Sequence, residues 1–418
     1  ERSGMAAADR APDGRRMSAA AMPRQMLPTL TGLRGFAALM VLLYHIRSAM
    51  GGFLPERVIA VLAEGYLAVD LFFVLSGFVL WWTYGTEFRD QGIRAAPRFI
   101  VRRFARIFPL HIAILSAMLL FALALLVSGR EPGAHYSFAQ LPAHYLLVQN
   151  WGFSNGLTWN DPAWSISTEW GAYLLLAIAG GWLAQLRIGA WSFPLVVVTM
   201  AAGLGWWFAS AGRISIGNDI PVTGLLRCLV EFGIGILLCQ WWTAQRERRH
   251  AATIIYGTTL ALVGAGTLLL IFAQSQPAAV PLIMTAIVIL ALQASTAARP
   301  VLSGRIAQWL GDISYAVYLS HFFLWILFKL FFRRRSGAGP SGRDSGVHPV
   351  DAGRVASSPY RSGSPGAADR PARRRPPARR AADGLRRRPQ RDLIARRLLS
   401  SREPSAPFGA LMPMSPTR

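Results

Sequence analysis

Two cysteines in 418 residues, Cys228 and Cys239, leave no disulfide framework, and their spacing is not that of a zinc site. Both fall inside one apolar run, where they read as small packing residues. Lysine is reduced to one, Lys329, so arginine supplies almost all of the positive charge. Charged residues make up 16% of the chain, and 21 acidic residues face 44 basic ones, for a net charge of +23. The sequence has no glycine-rich phosphate loop and no cluster of metal-ligating residues at a usable spacing, and it lacks G-x-S-x-G. These absences exclude nucleotide cradling of the P-loop type, a structural metal and a serine-hydrolase elbow. No cleavable signal peptide is expected either. The first apolar segment is long enough to span a bilayer, and its ionisable residues make it a poor signal core.

Apolar residues are abundant: 53% of the chain, with mean hydropathy +0.33 and 14 tryptophans. They come in blocks of about 20, the length that crosses a bilayer. Nine are read, at 29–48, 66–84, 104–127, 164–184, 191–210, 222–243, 252–273, 279–296 and 312–332. The expected fold class is all-α, a polytopic transmembrane helix bundle. Arginines collect before the first block (Arg15, Arg16, Arg24), after the second (Arg89, Arg94, Arg98, Arg102, Arg103, Arg106), after the sixth (Arg246, Arg248, Arg249) and after the eighth (Arg299, Arg305). All fall on one side if the N-terminus is cytoplasmic, as the positive-inside rule asks. Trp81, Trp82, Trp206, Trp207, Trp241 and Trp242 stand near block ends and are expected to form an interfacial belt. The piece 141–151 is too short to cross.

The chain divides into a low-complexity basic segment, 1–26, a membrane domain, 27–332, and an Arg/Pro-rich tail, 333–418. The tail carries 20 Arg, 5 Asp and 1 Glu, which is +14 of the total charge. Nine spans from an inside N-terminus would deliver it outside, against the charge rule. It is therefore expected to be disordered, with a tenth span lost or altered by a shift of reading frame. For the same reason no nucleic-acid partner is expected.

Ionisable groups also stand where the membrane should be. "RGFAALMVLLYH" begins at Arg34 and ends at His45. Eleven helical steps climb about 16 Å and return to nearly the same face. Such residues usually face a bundle interior or a wet cavity; the alternative is Arg34 snorkelling to the headgroups and His45 bonding to a neighbouring helix. Asp70 starts the second span in "GYLAVDLFFVLSGF". Arg103 and Arg106 precede Pro109 in "RRFARIFPLH". Glu169 lies in "DPAWSISTEWGAYLL", and "GDISYAVYLSHFFLW" holds Asp312, Tyr315 and His321.

Together these strings resemble the membrane-bound acyltransferase 3 family, over roughly residues 27–330. The R-x10-H pair, D-x-FFVLSGF from Asp70, R-x-x-R-x-x-P from Arg103 and ISYxxYLxH ending at His321 occur in the family's order. Two features depart from its pattern. Trp170, not an acidic or polar residue, follows Glu169, and the last helix is missing. The resemblance implies a bacterial inner-membrane O-acyltransferase with an acyl-CoA co-substrate, usually acetyl-CoA, reached from the cytoplasm. The acceptor would be a hydroxyl outside, such as that of a glycan, and no cofactor would be permanently bound.

On that reading Arg34, Arg103 and Arg106 face the CoA phosphates, for which guanidinium groups suit bidentate bonding. His45 is the expected general base, with Asp70 or Glu169 orienting it. An acyl-histidine is the mechanistic alternative. Asp70 could instead complement a helix dipole. His321 and Tyr315 are expected at the substrate, or His321 bonds a backbone carbonyl or Tyr315. Ser76-Gly77 reads as a place of close helix approach. Rival readings are a secondary transporter or exporter, whose buried charges would couple protons, and an inactive truncated relative.

Overall fold

A computed structural model describes residues 27–293 and 299–335, with side chains for all but 299, 300 and 333–335. The segments 1–26 and 336–418, with the disorder and reading-frame expectations attached to them, lie outside the described residues. Every described residue belongs to one unit. Nine long helices account for most of it: α1 (Pro28–Met50), α2 (Ala68–Gln91), α3 (Ala96–Val127), α4 (Ala163–Leu183), α5 (Ser192–Ser210), α6 (Ile220–Gln245), α7 (Ala251–Ile271), α8 (Gln276–Leu292) and α9 (Arg305–Arg335). Each coincides with one of the nine apolar blocks. The fold class is all-α, as expected. By length and composition six helical stretches suffice to cross a membrane, one of them the run Glu56–Val127 that contains both α2 and α3. Neither α4 nor the 17-residue α8 is among the six. In α4 the first turns hold Ser165, Ser167, Thr168 and Glu169, polar groups turned mostly into the protein. The piece 141–151 forms only a five-residue helix, Leu141–Tyr145, within the connection from α3 to α4.

Two seams position the site. In the α2–α6 seam, a Cβ added at Gly77 would lie 2.0 Å from the Phe232 carbonyl oxygen, and one at Gly235 would lie 2.1 Å from that of Val74. The backbones touch, as Ser76-Gly77 suggested. In the second seam α1 and α9 run parallel. Gly35 and Gly311 let their backbones meet, and a Cβ at Gly311 would lie 2.2 Å from the Thr31 oxygen. Such contacts replace the hydrophobic drive that lipid cannot supply between helices. Cys228 and Cys239 are buried and form no disulfide among the described residues, in the packing role expected of them.

The tryptophan belt needs correction. Trp206 is exposed, but Trp81, Trp241 and Trp242 are buried. Trp241 stacks on Phe193 at 4.7 Å, and its indole donates to the Ala190 carbonyl at 3.2 Å. Aromatic area gains more from packing between helices than from the headgroup layer when a neighbour supplies an acceptor.

Candidate active site

A cavity of about 1040 Å³ opens among α1, α2, α3, α4 and α9. Its walls bring together six of the nine residues singled out in the sequence: Arg34, Arg103, Arg106, Glu169, Asp312 and Tyr315. Glu87, Asp90 and Arg98 line its other end, where Arg98 approaches Glu87 at 3.5 Å. This end belongs to the arginine-rich connection between α2 and α3.

The arginines are held but not saturated. Arg34 donates through Nη2 to the Gly311 carbonyl at 2.9 Å, which the α1–α9 seam makes reachable. Arg103 donates through Nη2 to the Tyr84 hydroxyl at 3.1 Å. The Nε–H of both is buried without a partner among the described residues. A buried donor left unpaired costs free energy, so the wall is set up to receive an anion. Arg106, one helical turn beyond Arg103, lies 5.9 Å from the Tyr315 ring. The Tyr315 hydroxyl donates to the Ile107 carbonyl at 2.5 Å and so ties α9 to α3.

Glu169 stands deeper in the cavity. Its Oε1 accepts from Ser76 Oγ and, at 2.6 Å, from the Tyr173 hydroxyl. Tyr318 also lines the cavity, and its hydroxyl shares a hydrogen bond with Ser165 Oγ at 2.6 Å.

His45 and His321 form a second group, outside the cavity lining. The Tyr318 ring is 6.2 Å from that of His321 and so connects the two places. His321 Nε2 lies 3.2 Å from His45 Nδ1. His321 Nδ1 faces the Val317 carbonyl at 3.0 Å, and His45 Nδ1 faces that of Val41 at 2.9 Å. One tautomer assignment satisfies all three contacts. His321 donates from Nδ1 to its own helix, and His45 donates from Nδ1 to Val41 and His321 together. His45 Nε2 is then an unshared base. Beyond them Phe322 stands 5.8 Å from His45 and 6.0 Å from His135 of the α3–α4 connection.

The orienting partner of His45 is thus a histidine, and two expectations are corrected. Glu169 is committed to Ser76 and Tyr173. Asp70 is committed to Arg227: Nε to Oδ1 and Nη2 to Oδ2 are each 2.6 Å, with both side chains fully buried. A third bond, Arg227 Nη1 to the Ile216 carbonyl at 3.0 Å, completes the guanidinium's packing. Glu231, four residues on in α6, is buried in the same seam. Asp70 therefore stands outside the cavity lining, bonded to Arg227 and not to His45. The signal for this ion pair was present, since Arg227 and Glu231 stand four apart inside an apolar block. Tyr173, Tyr318 and the hydroxyl role of Ser76 carry no such mark, because hydroxyl residues are ordinary in apolar helices.

The sequence is similar to those of several known proteins. The chain is 32% identical over 234 residues to acyltransferase MdmB of Streptomyces mycarofaciens, 52% of either chain, so it spans about half of that relative's length. It is 27% identical over 266 residues to exopolysaccharide production protein ExoZ of Rhizobium meliloti, 62% of this chain and 76% of that one. With the peptidoglycan O-acetyltransferase OatA of Listeria monocytogenes it shares 21% over 334 residues, 72% of this chain and 49% of the relative. No solved structure matches. The family model described as an acyltransferase domain matches residues 27–342, and the chain belongs to that family.

Proposed function

We propose that the protein is an integral-membrane O-acyltransferase. It moves an acyl group, acetyl by preference, from acyl-CoA in the cytoplasm to a hydroxyl outside, on a glycan or a molecule of similar chemistry. The observation that carries this reading is the pairing of two places. One is a cavity walled by Arg34, Arg103 and Arg106, with two buried unpaired donors. The other is a histidine pair outside the cavity lining, beside the lining residue Tyr318, with one ring nitrogen free. Phosphates suit the first, and proton removal from a hydroxyl suits the second. The cavity's volume sits at the top of the ~300–1,000 Å³ range of small-molecule sites. The mouth's place in the arginine-rich connection supports access from the cytoplasm. ExoZ and OatA, named for exopolysaccharide and peptidoglycan, support a glycan acceptor.

In this reading His45 Nε2 takes the acceptor's proton as the oxygen attacks the acyl carbonyl. His321 holds the tautomer, in the way a carboxylate does in a catalytic triad. Acyl-CoA is a co-substrate, and this chain's residues bind its phosphates and exclude water around its thioester.

The test uses purified protein in liposomes with acetyl-CoA and a soluble glycan. His45→Ala should lower acetyl transfer by about 10²–10⁴-fold at unchanged CoA affinity. Arg103→Ala and Arg106→Ala should each weaken CoA binding by roughly 10- to 150-fold, the equivalent of one charge-assisted bond. Transfer within a few-fold of the parent in His45→Ala removes His45 as the base, and solute flux without acetyl-CoA together with no acetyl transfer overturns the reading in favour of a transporter.

A further inference from the structure

We propose that Ser76 carries the acyl group as an O-acyl-serine between donor and acceptor, with Glu169 as its base. The inference rests on the acyl-transfer reading and adds a covalent stage to it. Hydroxyl side chains inside apolar helices commonly bond the carbonyl one turn back. Thr83, Thr199 and Ser320 do so here, with Val79, Leu195 and Ala316 at 2.7–2.9 Å. Ser76 turns instead across the cavity wall and donates to Glu169 Oε1. Tyr173 fixes the same oxygen from within α4. The charges of Arg103 and Arg34 bear on this carboxyl. A nucleophile bonded to a base, with the base held by a third group, is the arrangement that activates a hydroxyl.

In the first half, Ser76 Oγ attacks the thioester carbonyl and its proton passes to Glu169. The C–S bond breaks, and the thiolate takes that proton and leaves as CoA thiol. In the second half, the acceptor hydroxyl gives its proton to His45 Nε2 and its oxygen attacks the serine ester. The C–Oγ bond breaks, and Oγ takes a proton from Glu169, which draws it from a hydronium ion of the cytoplasmic water, so that one proton enters from the cytoplasm for each that His45 releases. His45 then releases its proton to the outer water. Because His45 lies outside the cavity lining, an acceptor entering past it meets a small ester rather than the whole donor.

The experiment incubates full-length protein with acetyl-CoA and no acceptor, quenches it in acid and maps acetylated peptides by mass spectrometry. One acetyl group is expected on Ser76, with one CoA released per protein. Ser76→Ala should lose the adduct and at least about a hundred-fold of transfer. Ser76→Cys, which keeps the side chain's size, should accumulate a hydroxylamine-sensitive thioester, and it decides the matter where Ser76→Ala fails to fold. Glu169→Gln should bind CoA normally and form no adduct. Transfer within a few-fold of the parent in Ser76→Ala, or an adduct on His45 instead, overturns the proposal and leaves the acyltransferase reading standing. A parent protein that neither transfers acetyl nor releases CoA overturns both.

Discussion

Asp70 and Arg227, 0% and 1% exposed, have given up their water for each other. Such a pair adds little over well-packed apolar residues, but removing one member leaves a buried charge that costs about 3–5 kcal/mol. Arg227→Met should therefore melt well below the parent in detergent, and the double variant Asp70→Leu/Arg227→Met should recover at least half of the loss. Equal melting of the single and double variants would show the pair to be uncoupled. Asp70 shows how far a residue can be read from sequence. A carboxylate at the start of an apolar helix announces itself, but its partner stands 157 positions away and is chosen by packing. Arg34, Arg103, Arg106, Glu169 and Tyr315 were legible together because each stands in one of the strings that carry the family resemblance. Asp70 and Glu169 were legible as ionisable groups but not in their roles, since nothing local says which of several depths a side chain will find neighbours at.

At the level of elements, backbone contact sets the tolerance. In the α2–α6 seam Gly77→Val would drive a side chain into the Phe232 carbonyl and should cost at least the ~1–3 kcal/mol of an overpacked core. Gly264, inside α7 with nothing within 4 Å of an added Cβ, should do the opposite. Gly264→Ala is expected to gain about 0.5–1 kcal/mol from helix propensity. Thermal unfolding of the two variants checks both signs. The connection between α3 and α4 carries a pH dependence. Burial, then the nearby His111 and His135, push His144 down to about 3 from its ordinary 6.5. Between those values the unfolded chain binds more protons than the folded one, so this contribution to stability falls as pH drops from about 6.5 towards 3. Asp161 works the other way, since burial raises its carboxyl above the ordinary 3.8 and its contribution weakens as pH rises through the raised value. Limited proteolysis of residues 128–162 should be faster at pH 4.5 than at pH 7. His144→Gln, which keeps a group able to bond Thr158, should flatten that difference; an unchanged profile would place the acid sensitivity elsewhere.

For the whole molecule, the helices were legible because a bilayer demands long apolar runs, and little else in a sequence looks like one. The arrangement was not, since contacts such as Gly35 with Gly311 join opposite ends of the chain. Charge gives the orientation its own test. A topology reporter placed after Arg249 should read cytoplasmic and one after Gly212 outside, following the arginine excess of the connection between α2 and α3; the reverse pattern would turn the cavity mouth outward. The parallel pair α1 and α9 has a consequence for the family of sequences that could work here. Gly35 meets Gly311, and ten residues further along each helix His45 meets His321. The helices behave as two rulers laid side by side with their zero marks aligned. Deleting one residue between the marks of either ruler swings its histidine by about 100° and slides it about 1.5 Å, which parts the rings although the change lies far from them. The stretch between the marks is fixed in length as firmly as in the side chains, Tyr315 and Tyr318 among them, that it turns to the cavity.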